Sequence, residues 1–170
     1  MKFKVDDFIE ILGLAASNDK VKNMLSRLNL MAPVLKKGRD DVWLHFDNDA
    51  FELAFEDESL INRDEYADIG DGELIFMTVF FNAFDRLILP FQIGQNDDAE
   101  TVTKKIGREA DDVTGFLSRK AWVFKTNTGL TYVLFFEFDK SYTQIERVGV
   151  SYSYGQMPWV EELIKNSKSE

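Results

Sequence analysis

The stretch Val42-Trp43-Leu44-His45-Phe46-Asp47-Asn48-Asp49-Ala50-Phe51-Glu52-Leu53-Ala54-Phe55-Glu56 decides the fold class. Val42–Phe46 is rich in the apolar and aromatic side chains that suit a pleated, half-buried surface, and it reads as a strand. Asp47-Asn48-Asp49 is turn material, because these short polar side chains bond back onto their own backbone and tolerate left-handed conformations. From Phe51 to Glu56 the chain alternates, with Phe51, Leu53 and Phe55 on one side. Period-two alternation marks a strand with one buried and one solvated face. Strand, turn and strand predict a hairpin, and a hairpin with one wet face predicts an antiparallel sheet.

Upstream, Ser17-Asn18-Asp19 offers cap chemistry for a helix through about Leu30, with Val21, Met24, Leu25 and Leu28 on one face. Phe8, Ile9, Ile11 and Leu12, separated by acids, fit an amphipathic first helix. Pro33 and Gly38 mark the helix exit and a turn. Downstream, Asp57–Gly72 is a long acidic connection. Leu74–Phe81 is almost wholly apolar, which predicts a central strand covered on both faces. Arg86–Leu89 reads as a short strand stopped by Pro90.

The second half runs in the same order. Asn96-Asp97-Asp98 caps a helix that ends at Gly107, with Val102 and Ile106 on one side. Lys120–Phe124 reads as a strand, Asn127-Thr128-Gly129 as a turn, and Tyr132, Leu134, Phe136 and Phe138 line one face of the next strand. Gln144–Tyr152 is a further strand, in which Gly149 suggests a bulge. Met157-Pro158-Trp159 opens a C-terminal helix docked by Val160, Leu163 and Ile164, with Tyr152 and Tyr154 packing nearby. Val21 matches Val102 and Leu53 matches Leu134 at one offset, and Trp43 matches Trp122 at an offset two residues shorter. The expectation is α+β: one domain over 1–170, built of two related helix-plus-antiparallel-strand units at approximately 17–89 and 96–152, with flanking N- and C-terminal helices.

Composition bounds the function. The 170 residues carry a formal charge of −10, and the 45% apolar content suffices for a core. From Asp40 to Glu73 stand thirteen acids against one base, Arg63, so that segment carries −12 while the remainder carries +2. Such a charge disfavours nucleic acid and anionic membranes as partners, since both are polyanions. The lack of Cys excludes disulfides, Cys-ligated metals and thiol catalysis. No apolar stretch is long enough to span a membrane. Asp6, Asp7 and Glu10 interrupt what would be the apolar core of a signal peptide, so a cytoplasmic location is expected.

Catalytic signatures are weak. Ser17-Asn18-Asp19-Lys20 satisfies Ser-x-x-Lys without a companion motif, and Ser17 serves better as helix-cap chemistry. His45 is the only His and would act alone. Asp47 and Glu58 have the spacing of a calcium loop, but Glu52 stands where that loop needs Gly, and a strand pattern runs through it. Gly70-Asp71-Gly72 has no following Lys to hold a phosphate. Lys36-Lys37-Gly38-Arg39 is too small a basic cluster for a nucleic-acid footprint. No catalytic residue, metal site or cofactor is expected, and the chain reads as a non-enzyme.

The order of capped helix, Trp-bearing strand, turn and alternating strand resembles the repeat of the β-lactamase-inhibitor-protein and outer-membrane assembly lipoprotein folds. The segment Leu89-Pro90-Phe91-Gln92-Ile93-Gly94, with the capped helix to Gly107, is similar to a recurring stretch in bacterial immunity proteins. Those neutralise toxins of contact-dependent or type VI competition. Together the resemblance spans about two thirds of the chain. The lipobox Cys and signal of the lipoprotein group are absent here, which favours the immunity side. The resemblance implies an inhibitor that binds a cognate protein toxin, with a basic nuclease as the toxin type that an acidic surface suits. Asp57, Glu58, Asp64, Glu65, Asp68 and Asp71, in the long connection, are the expected partner contacts. The alternative is a non-catalytic structural or adaptor domain whose acidic loop confers solubility.

Overall fold

The computed structural model describes residues 2–60 and 71–152. Its centre is a seven-stranded antiparallel sheet of strand order β2-β3-β4-β9-β8-β7-β6. The strands are β2 (Asp41–Phe46), β3 (Phe51–Asp57), β4 (Leu74–Phe81), β6 (Asp112–Thr114), β7 (Arg119–Lys125), β8 (Thr131–Phe138) and β9 (Ile145–Ser151). Two short strands, β1 (Phe3–Lys4) and β5 (Leu87–Ile88), pair in parallel outside it. The helices are α1 (Val5–Ile9), α2 (Asp19–Arg27) and α3 (Ala99–Ile106). The architecture is α+β and dominated by strands. The C-terminal helix expected from Met157, with Tyr154 and Trp159, lies outside the described residues.

Local chemistry explains the boundaries. Asn18, rather than Ser17, caps α2 by accepting the Lys20 amide at 2.9 Å. Asp98 does the same for α3 through the Thr101 amide at 2.8 Å, and Gly107 ends that helix at φ +86°, a conformation that suits a residue without Cβ. The β2–β3 turn runs through Asp47, Asn48 and Asp49, all left-handed, as their residue types predict. β4 is buried at every residue and lies inside the sheet, between β3 and β9, as its apolar run predicts.

The core occupies one face of the sheet. Phe8, Val21, Met24, Leu25 and Val102 from the helices meet Leu53, Phe55, Phe76, Val79, Phe81, Trp122, Leu134, Phe136, Val148 and Val150 from the strands. The far face carries smaller clusters: Phe80, Ala121, Val133 and Phe135 in one, and Ile75, Met77 and Tyr152 in another.

Two sequence expectations need correction. Trp43 and Trp122 are not equivalent. Trp122 sits opposite Leu134, but the residue opposite Leu53 is Leu44, and Trp43 pairs with Ala54. A shift of one residue reverses the face of a side chain, so Trp122 is buried in the core and Trp43 lies on the far face at 40% exposure. Gly149 also marks no bulge. It pairs regularly with Phe80 and Phe135, while the register of β8 and β9 shifts at Glu137/Phe138. The glycine is needed because the Phe135 ring lies where a Cβ would project.

Candidate functional site: the acidic edge hairpin

β2 is one edge of the sheet, and the exposed acids Asp40, Asp47 and Asp49 flank it. The Asp57 amide donates to the Asp40 carbonyl at 2.8 Å, in the register that pairs Asp41 with Glu56. In an antiparallel ladder, bonded and non-bonded pairs alternate. Residues 40, 42, 44 and 46 therefore direct their backbone groups toward β3. Asp41, Trp43 and His45 direct theirs outward, and their side chains share the far face. Asp40 and Asp49 stand exposed beyond the two ends of the strand.

The far face beside this edge is a ladder of aromatics and charges. The Trp43 indole stacks on Phe80 with centroids 5.7 Å apart and planes 4° from parallel. Its Nε1 donates to Asp41 Oδ2 at 2.9 Å. The Arg147 guanidinium lies 4.3 Å over the other part of this stack, at the Phe80 ring, and reaches Glu52 at 2.6 Å. Asn82 donates to the same Glu52 oxygen at 2.9 Å and to the Asp49 carbonyl at 2.8 Å. His45 Nδ1 is 2.8 Å from Asp49 and 3.8 Å from Glu52. Burial raises the Glu52 carboxyl, but the Asn82 and Arg147 hydrogen bonds and the nearby positive charge outweigh it, leaving the group below its ordinary 4.5. Further along, Phe80 meets Phe135 at 5.7 Å, with Arg119 over the Phe135 ring and paired to Glu137.

The expected contact residues divide. The Ser59 side chain, and after it the Ser59 amide at 2.9 Å, hydrogen-bond to Asp57 and hold its carboxyl below the usual carboxylate range. Glu58 is only 7% exposed and accepts the Gly72 amide at 3.1 Å, so it ties the two ends of the acidic connection together. Asp71 is exposed beside it. Asp64, Glu65 and Asp68 lie outside the described residues. The residues that sequence reasoning missed are Trp43, read only as a repeat marker, and Arg147. The alternation Asp41, Trp43, His45 against Val42, Leu44, Phe46 carried that signal: the tryptophan falls on the polar side.

Among the described residues, no three His, Asp or Glu are grouped so as to hold a metal ion. No helix described is long and apolar enough to cross a membrane. An exposed tryptophan, a strand edge and a rim of carboxylates offer contact surface and charge, the ingredients of protein recognition.

Fold and edge together define a strand-dominated α+β protein with an acidic sheet edge. No family model matches the chain, and no curated protein matches it. Among solved structures, it is similar to a DUF4309 family protein, YjgB of Bacillus subtilis, at 12% identity over 76% of each chain, with a TM-score of 0.38.

Proposed function

We propose that this chain is a non-catalytic, cytoplasmic binding protein of the immunity type, which neutralises a cognate protein toxin by covering a basic surface on it. The observation that carries the reading is the concentration of −12 in Asp40–Glu73, part of which the fold presents on the β2 edge around exposed Trp43. Carboxylates on a rim steer a basic partner and suppress acidic ones. A central aromatic supplies the desolvated anchor on which interface affinity concentrates. A nuclease cleft built for phosphates has the complementary charge.

We also propose that the two halves are variants of one unit. In support, α2 precedes β2-β3-β4, α3 precedes β7-β8-β9, and the two sets abut through β4 and β9. The acidic edge belongs to the first half alone, so the shared pattern does not require it.

Affinity capture of the tagged chain from its source cells, with mass identification of the bound protein, tests the function. A captured basic protein should arrest growth when expressed alone, and co-expression of this chain should restore growth. A captured protein that is harmless alone would favour the adaptor reading.

A further inference from the structure

We infer that the outer edge of β2 receives an extended, basic segment of a protein partner as an additional strand. The inference rests on the proposed binding function and specifies how the partner docks.

The first ground is backbone chemistry. The N–H and C=O groups of Asp41, Trp43 and His45 point away from β3, and no described residue bonds to them. Unpaired edge groups of this kind template strand addition, and most proteins blunt such edges with Pro, Lys, bulges or brevity. β2 carries no Pro and no Lys, and its pairing with β3 is regular over all six residues. The opposite edge, β6, is only three residues long.

The second ground is side-chain chemistry. A strand added here would place alternate side chains on the far face, opposite Asp41, Trp43 and His45 and about 5.5 Å away between Cα atoms. Asp41 Oδ2 is already oriented by the Trp43 indole, and Asp40 and Asp49 add exposed carboxylates beyond the two ends of the strand, Asp49 at 2.8 Å from His45 Nδ1. The outer face of Trp43, supported from beneath by Phe80, is a flat surface for a guanidinium or a lysine stem. Net charge favours a basic segment over a second copy as the occupant. Residues 40–56 hold six carboxylates and no Lys or Arg, so pairing β2 with itself would bring two such rows together.

The test uses the full chain and two synthetic peptides. One alternates lysine with threonine. The other has the same sequence with N-methyl groups on alternate residues, which preserves charge but removes the edge-facing donors. The first peptide should bind and slow hydrogen exchange at the Asp41, Trp43 and His45 amides. N-methylation, and separately Trp43→Ala in the folded protein, should each weaken binding about tenfold. Equal affinity for the two peptides would overturn strand addition while leaving charge-guided docking intact. Absence of binding by the first peptide would also overturn it. So would a concentration-dependent dimer that protects the same amides, because that would give the edge to a second copy. Failure of the growth-rescue experiment, by contrast, would remove the toxin reading without bearing on these amides.

Discussion

The ring of Phe135 lies across Gly149 on the neighbouring strand, so that a Cβ added to the glycine would sit 2.0 Å from Cζ. Phe135 is itself held between Phe80 and Arg119. Gly149→Ala must therefore displace a packed ring, and overpacking of this kind costs about 1–3 kcal/mol. Urea unfolding should show that loss, and a second change, Phe135→Leu, should recover part of it. A neutral Gly149→Ala would contradict the close approach.

The two tryptophans should respond unequally to truncation. Trp122→Ala empties a core site and leaves the Arg108 carbonyl without the 3.1 Å bond from the indole. Thermal unfolding should report a loss of about 3–5 kcal/mol. Trp43→Ala removes a half-exposed stack and should cost about 1 kcal/mol. Similar losses would restore the equivalence that the register denies.

Acid should weaken the tie between β3 and β9. Because the Glu52 carboxyl lies below 4.5 in the fold, its contribution is present above that pH and is lost as pH falls through the lowered value. Arg147→Met should cost on the order of 1 kcal/mol near neutrality after allowance for solvent screening. It should also flatten the decline of stability below pH 4.5 in denaturant titrations.

Alkali acts through Tyr132. Burial, followed by the charge of Asp6, pushes its phenol from 10.0 up to about 12. The fold favours the neutral form, so this contribution is complete below about pH 10 and declines by about 1.4 kcal/mol per pH unit as pH rises toward 12. Tyrosinate absorbance should show a late-titrating component, and Tyr132→Phe should diminish it by one group.

The hairpin, the central strand and both long helices were legible because local patterns dictate them: alternation for β3, an unbroken apolar run for β4, and acid or amide caps for α2 and α3. The facing of Trp43 was not legible by matching halves. Loops of unequal length hide a one-residue shift, and only the cross-strand register with Leu53 resolves it. The role of Gly149 depends on a ring contributed by another strand, which is a non-local fact. Charge counting found the acidic segment, but it could not separate Glu58, spent on the Gly72 amide at the far end of the acidic connection, from Asp40 and Asp49, which are exposed.

The most direct test of the acidic edge is the rate at which the captured partner associates with the unaltered chain and with a variant carrying Asp40→Lys, Asp49→Lys and Asp71→Lys, across a range of salt concentrations. If the edge steers binding, the variant should associate about tenfold more slowly at low salt, and its rate should depend little on salt. An unchanged association rate with an unchanged salt dependence would contradict the account.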